Sequence, residues 1–346
     1  MVSANKSSGP IYGGDDPLAG LIGEAPAFKR VLEKIQAIAT CDDPVLITGE
    51  TGTGKDLVAN AIYQLSRRNK RPFVAVNCCE PEESLIDDEL FGHEPGAFTG
   101  AQEERLGLIA QADGGTLFLD EIDSLYLRGQ GKLLRVLQNG RFRRLGSDIE
   151  QRADVRVIAA TNAVIEDCVR ARMFRKDLFY RLNVQRIQMP TLSERREDIV
   201  PLAYHFLRKH GRPGQELLTF TPGAEALLVS LEWPGNVRDL ESVVRRVLPF
   251  ATHELIDVAD VEAQLATALP AATDAFPLSF QEHRTRSERE YLVRLLTRHH
   301  GNLHSAAREA GMRRAPLRTL LKRHGLHHDD FCREHPGRRG KPRGTI

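Results

Sequence analysis

Gly49-Glu50-Thr51-Gly52-Thr53-Gly54-Lys55-Asp56 stands between a short apolar run, Pro44-Val45-Leu46-Ile47-Thr48, and a stretch of helix formers, Leu57-Val58-Ala59-Asn60-Ala61-Ile62. A glycine-rich turn that joins a strand to a helix and closes on Gly-Lys is the phosphate-loop pattern G-x-x-x-x-G-K in the context it requires. The glycines let the backbone curl so that several N–H groups face one anion. The helix N-terminus adds the positive end of its dipole, and Lys55 adds a full charge. The Ser or Thr that usually follows the lysine and holds Mg²⁺ is replaced by Asp56. A further metal-binding carboxylate is therefore expected downstream.

The 346 residues leave room for two or three domains. With 41% hydrophobic and 27% charged residues, the composition is that of an ordinary globular protein. No stretch approaches the ~18 consecutive apolar residues of a membrane span, and no apolar signal core follows Met1 to Ser8. A cytoplasmic protein without a membrane partner is expected. The five cysteines are odd in number, lack C-x-x-C spacing and read as reduced thiols. The net charge of +1 conceals an asymmetry. From Arg284 to Ile346 there are 16 Lys/Arg against 6 Asp/Glu, while the preceding 283 residues carry 32 against 41. A basic end on an acidic body suggests nucleic acid, although charge alone fits a solvated tail equally well.

Residues 1–17, rich in Gly, Ser, Pro and Asp, are expected to form a flexible arm, with no sensory domain ahead of the phosphate loop. Phe28, Val31, Leu32, Ile35 and Ile38 recur at helical spacing within Leu18 to Thr40. Pro72 to Asn77 reads as a second strand. Gly115-Thr116-Leu117-Phe118-Leu119-Asp120-Glu121 is an apolar strand that ends in two acids. At the C-terminal edge of a parallel sheet such acids face the phosphate site. Asp120 is then the Mg²⁺ carboxylate, with Asp56 nearby, and Glu121 the base that orients and deprotonates the attacking water. Asp154 to Asn162 is a further buried strand whose last residues, Thr161 and Asn162, are placed to sense the terminal phosphate. Val184 to Pro190 closes the sheet.

Between the second strand and the acidic one lies Gly96-Ala97-Phe98-Thr99-Gly100-Ala101, which has neither helical nor strand period. Read by residue type, it is a loop whose lone aromatic belongs in the core. Arg175 and Arg181 flank a helical turn; they are either solvated or reach the nucleotide of a neighbouring subunit. From Leu192 to Thr267 the pattern is all helix. Asn236, after Pro234-Gly235, reads as an N-cap. Arg238, a cation placed in a first turn against the helix dipole, is a candidate phosphate contact. Beyond an Ala/Pro/Thr-rich linker, two short helices flank Gly311. The second is basic on its outer face through Arg313, Arg314, Arg318, Lys322 and Arg323, which suggests a helix-turn-helix; a plain three-helix cap is the alternative.

Together these motifs resemble the bacterial enhancer-binding proteins, the AAA+ activators of sigma-54 RNA polymerase. The likeness runs from about Leu18 to Leu326, and its most specific element is Gly96-Ala97-Phe98-Thr99-Gly100-Ala101, the family's GAFTGA signature letter for letter. The resemblance implies that this loop contacts sigma-54 through Phe98 and Thr99, which reverses the expectation of a buried Phe98. It implies that Lys55 binds the β- and γ-phosphates of ATP and that Asp120 and Glu121 are the Walker B pair. Asn77 resembles the switch that holds the catalytic glutamate. Thr161 and Asn162 match sensor I, and Arg238 matches sensor II. Arg175 and Arg181 match trans-acting arginines, which implies a ring such as a hexamer. The C-terminal unit is similar to a Fis-type helix-turn-helix that binds enhancer DNA.

The fold implied is α/β, an AAA+ P-loop NTPase three-layer sandwich over 18–190, with an α-helical lid over 191–267. A linker over 268–283, an all-α helix-turn-helix domain over 284–326 and a basic tail over 327–346 follow. The cofactors implied are ATP and Mg²⁺; the partners are sigma-54 RNA polymerase holoenzyme, enhancer DNA, further copies of the chain, and a regulatory partner acting in trans. The family's usual Glu is Asp56 here, and Arg313-Arg314-Ala315-Pro316 lacks the usual Ser or Thr cap of the recognition helix. A general AAA+ protein remodeller and a DNA-binding repressor with little ATPase activity are the alternative functions.

Overall fold

The computed structural model describes residues 17, 18, 20–79, 83–98, 101, 103–211, 218–250 and 255–268, and beyond these 292, 295, 296, 298, 299, 302–310, 312, 317, 320, 321 and 326. Five parallel strands form the central sheet: β1 (Val45–Thr48), β2 (Phe73–Asn77), β3 (Thr116–Asp120), β4 (Arg156–Thr161) and β5 (Gln185–Gln188). Their order is β2-β3-β4-β1-β5. Successive side chains point to opposite faces. Leu46 of β1, Leu117 and Leu119 of β3, and Val157 and Ala159 of β4 enter one core. Val45, Ile47, Phe118, Ile158 and Ala160 enter another. Strands covered on both faces must be apolar throughout, which is why they read as continuous runs.

The first core is covered by α3 (Glu83–Phe91), α4 (Leu127–Asn139) and α5 (Lys176–Leu182), which contribute Ile86, Leu90, Leu133, Val136, Leu178 and Leu182. The second is covered by α1 (Pro26–Ala39) and α2 (Lys55–Gln64) through Phe28, Val31, Ile35, Val58 and Ile62. Helix α1 starts at Pro26 and so takes up only the later part of Leu18 to Thr40. The backbone N–H groups of Glu24 and Ala25 instead donate to Asp198 Oδ1 at 2.6 and 2.9 Å, which holds this entry segment extended. Arg156, fully buried at the start of β4, donates to the carbonyls of Ile38 and Ala39, both at 2.9 Å, and so satisfies the C-terminal end of α1.

The lid comprises α6 (Ile199–His210), α7 (Pro222–Ser230), α8 (Asn236–Val247) and α9 (Val258–Ala268), packed around Leu202, Phe206, Leu228, Trp233, Leu240 and Val244. It is not purely helical: Thr219–Phe220 pairs in parallel with Leu255–Ile256. Burying Phe220 and Ile256 draws these two segments together, and the short ladder satisfies their backbone groups. No helix among the described residues is long and apolar enough to cross a membrane.

Leu269–Ile346 is a second compact unit. Its described residues Leu292, Leu295, Leu296, Leu303, Ala306 and Leu317 belong to a buried cluster of their own. Around it lies α10 (Leu303–Glu309), whose first turn is capped by Asn302 Oδ1 accepting from Ser305 N at 3.3 Å. Arg313, Arg314, Arg318, Lys322 and Arg323, the expected linker from residue 269 and the basic tail lie outside the described residues.

Candidate functional site

The phosphate loop leaves β1 at Gly49 and enters α2 at Lys55. Gly52 and Gly54 adopt φ of +77° and +93°. A Cβ at Gly52 would stand 2.1 Å from the Gly235 carbonyl oxygen, so only glycine lets the lid approach this closely. Lys55 turns its Nζ back into the loop, donating to the carbonyls of Gly49 at 2.8 Å and Glu50 at 3.0 Å. Burial pushes its pKa down, and the carboxylate of Asp120 opposes the shift. The amine thus sits, largely desolvated, where it can exchange carbonyl partners for phosphate oxygens.

The sheet delivers the acids to the same edge. Asp120 ends β3 half-buried, and burial raises its carboxyl above the usual range. The Glu121 N–H, donating to Asp120 Oδ1 at 3.0 Å, and the charge of Lys55 oppose that shift. Glu121 adopts φ +52°, the left-handed region that side chains other than glycine enter at a cost of about 1–3 kcal/mol. Such a conformation turns the chain sharply out of the strand at the residue expected to act as base.

Asn77 is the register partner of Asp120. Its side-chain oxygen accepts from Cys79 N at 2.8 Å, so the expected tie from Asn77 to Glu121 is not what this side chain makes; a local turn captures the oxygen instead. The sensing pair divides. Thr161 is fully buried and donates its hydroxyl to Asp123 at 2.5 Å, whereas Asn162 Nδ2 donates to Thr51 Oγ1 of the phosphate loop at 3.1 Å.

The lid closes the site with residues that local reading of the sequence misses. Asn236 does not act as an N-cap, a position held by Gly235. It is 1% exposed at φ +53°, and its Nδ2 donates to Glu50 Oε2 at 3.0 Å and to the Thr51 carbonyl at 3.1 Å. Its Oδ1 accepts from Leu192 N at 2.7 Å. Arg195, 3% exposed, lies 4.4 Å over the Phe28 ring and donates to the Thr53 carbonyl at 3.2 Å. Arg238 N donates to Gly52 O at 3.3 Å, and Arg238 is among the residues that line the cleft. Asn236 carries one available signal, since Asn is among the residues most tolerant of a left-handed turn after Pro-Gly. For Arg195 no local signal exists, because its partners lie far off in the chain.

The resulting cleft, of about 570 Å³, runs from Gly52, Gly54, Asp56 and Arg238 to an apolar end at Leu21 and Phe28. Donors and a cation at one end and flat apolar walls at the other suit a phosphorylated nucleoside. Among the described residues there is no group of three or more His, Cys, Asp or Glu that could hold a metal by itself. Mg²⁺ ordinarily takes one or two carboxylates plus substrate phosphates. Asp120 and Asp56, both close enough to bear on the Lys55 charge, are the carboxylates on hand.

Outside the cleft, Phe98 is 47% exposed, contrary to the reading by residue type and in line with the resemblance. The loop folds on itself: Gly96 N donates to Ala101 O at 2.8 Å and Ala101 N to Phe98 O at 3.1 Å, with Ala101 buried. Thr99 and Gly100 lie outside the described residues. Arg175 and Arg181 stand exposed at the ends of α5. Arg175 Nη2 pairs with Asp177 at 2.7 Å, and Arg181 Nη2 donates to Leu137 O at 2.8 Å. Neither partner belongs to the phosphate loop of the same chain.

Two families match this architecture: the Sigma-54 interaction domain over residues 21–188 and the AAA+ ATPase lid domain over residues 193–276. Among curated relatives, the transcriptional regulatory protein ZraR of Klebsiella oxytoca is 43% identical over 312 residues, 88% of this chain and 69% of the relative. The transcriptional regulatory protein GlrR of Escherichia coli strain K12 is 42% identical, covering 90% and 69%. The nitrogen fixation protein AnfA of Azotobacter vinelandii is 40% identical, covering 91% and 59%. Among solved structures, NtrX from Brucella abortus in complex with ATP superposes with a TM-score of 0.66 at 34% identity, covering 88% of this chain and 70% of that one. The fold alone is shared with a Thermotoga maritima RuvB mutant, at a TM-score of 0.52, 15% identity, and 90% and 91% coverage. This chain is therefore a member of the sigma-54-dependent transcriptional regulators, and its sheet and lid make it an AAA+ ATPase.

Proposed function

We propose that the chain hydrolyses ATP in the cleft between sheet and lid and uses the energy to convert closed sigma-54 polymerase–promoter complexes into open ones. The likeness to NtrX, whose structure is in complex with ATP, supports ATP as the ligand. Lys55 and the phosphate-loop N–H groups grip the β- and γ-phosphates, and the apolar end takes the base. Asp120 and Asp56 would hold Mg²⁺, which supplies charge neutralisation at the phosphates. Glu121 orients a water and takes its proton, Asn162 reports the terminal phosphate to Thr51, and Arg238 carries the change to the lid. Arg175 and Arg181 of a neighbouring copy stabilise charge on the transferred group, so a ring, such as a hexamer, completes the site. The Gly96–Ala101 loop touches sigma-54. The second unit binds upstream DNA through its basic helix, and a regulatory partner acting in trans controls the machine.

The observation that carries this reading is connectivity. The strand end that presents Asp120 pairs with the end of β2, and the chain runs from there through α3 into a loop that leaves Phe98 half exposed. The test is permanganate detection of promoter melting with sigma-54 holoenzyme, ATP and the full chain. Wild type is expected to melt the promoter; Glu121→Gln and Phe98→Ala are not. Melting by Phe98→Ala would remove the loop assignment, and melting by Glu121→Gln the assignment of the base.

A further inference from the structure

Helix α3 leads directly into the neck of the Gly96–Ala101 loop, and its Asp88 is only 6% exposed. A carboxylate so deeply placed is rarely without partners. Asp88 Oδ1 lies 2.5 Å from His93 Nδ1, and Asp88 Oδ2 accepts from Arg105 Nη1 at 2.7 Å. His93, itself buried, and Arg105 face each other across the short antiparallel ladder that forms the neck. One carboxylate therefore ties both sides of the neck to one helix. The ladder has no slack: a Cβ at Gly92 would stand 2.2 Å from the Arg105 carbonyl oxygen. Beyond the neck, the His93 ring meets Phe98 edge-on, with centroids 5.0 Å apart and planes at 68°. Contact thus runs unbroken from α3 through Asp88 and His93 to Phe98.

We propose that Asp88 is the positioning residue of this loop. By gripping His93 and Arg105 it makes α3 and the neck one rigid piece, so that a displacement of α3 moves Phe98 instead of being absorbed at the neck. Charge-assisted hydrogen bonds are the short, strong ones. A buried carboxylate stripped of its partners is costly enough that helix and neck separate rarely. The inference rests on the reading that Phe98 contacts sigma-54.

The test places 4-fluorophenylalanine at position 98 by codon reassignment, which isolates one signal among 14 phenylalanines. Fluorine NMR of the full chain then reads the Phe98–His93 seat directly. In Asp88→Asn the resonance is expected to move toward its value in denaturant, with ATP turnover within about twofold of wild type and promoter melting reduced about tenfold, a coupling change of the size that contact-network variants produce. Should Asp88→Asn fail to fold, Arg105→Gln carries the same test with about a threefold expected loss, since its half-exposed side chain leaves the core untouched. An unmoved resonance with melting retained overturns the proposal. So does a moved resonance with melting retained while Phe98→Ala abolishes melting. If Phe98→Ala itself still melts the promoter, the sigma-54 reading fails, and the fluorine signal reports separately whether Asp88 holds the loop.

Discussion

Glu121 and Asn236 are both non-glycine residues in the left-handed region, at φ +52° and +53°; Glu121 follows the end of β3, and Asn236 bonds to the phosphate loop. Strain of this kind persists where the surroundings over-determine a position. Removing the Glu121 carboxylate by Glu121→Gln keeps the shape and removes the base; a fall in ATP turnover of about 10²–10⁴-fold is expected from the loss of general-base catalysis, read in a phosphate-release assay. Asn236 has a different task. Its bonds to Glu50, Thr51 and Leu192 fasten the lid to the phosphate loop. Asn236→Ala leaves buried partners unsatisfied, a cost of about 1–3 kcal/mol, so the melting temperature should fall and ATP should bind more weakly in calorimetry. An unchanged melting temperature would show that these bonds do not hold the lid.

At the scale of elements, the closest approach in the site is between the phosphate loop and the start of α8. Gly52→Ala would drive a Cβ to 2.1 Å from the Gly235 carbonyl oxygen, and Gly52 already has φ +77°. The variant is expected to lose ATP binding even though every charged group remains; titration with a fluorescent ATP analogue checks this. Helices α6 and α8 are joined by Glu241, which accepts from His210 at 2.7 Å and Lys209 at 3.0 Å. Burial acts to raise the Glu241 pKa, but these two donors outweigh it and leave the carboxyl below its ordinary 4.5. The folded-state pKa is the lower one, so the stabilisation is present above pH 4.5 and is lost as pH falls through the lowered value. For a partly exposed group this contribution is about 1 kcal/mol or less. Glu241→Gln should therefore melt below wild type at pH 7, and the gap should close as the solution is acidified below pH 4.5.

The elements also show which parts of the molecule the sequence discloses. The phosphate loop, the acids closing β3 and the doubly buried strands are legible because flanks and periodicity act locally. The lid strands at Thr219–Phe220 and Leu255–Ile256 are not, because two residues carry no period. The roles of Asn236 and Arg195 were hidden for another reason: their partners are 186 and 142 positions away. Phe98 misleads by type alone, since an aromatic is ordinarily core, and the GAFTGA likeness was needed to expect it outside. Thr161 and Asn162, adjacent in sequence, part company because Thr161 is the last residue of β4 and bonds to Asp123, whereas Asn162 lies beyond the strand end and reaches Thr51.

For the molecule as a whole, the proposed function makes a single chain an incomplete catalyst. Lys55, the acids that act on its charge and the lid contacts gather at the phosphate loop, but Arg175 and Arg181 are bonded to Asp177 and Leu137 and stay exposed. The Arg175–Asp177 pair is worth little at such exposure, so the proposed exchange of Asp177 for a phosphoryl group of another copy would cost little. The most direct measurement is ATP turnover per subunit as a function of protein concentration, repeated with Arg175→Ala mixed into wild type at constant total protein. Turnover per subunit should rise with concentration, and the variant should depress it by more than its share of the mixture. A flat concentration profile, with Arg175→Ala merely diluting wild type in proportion, would contradict a site shared between subunits.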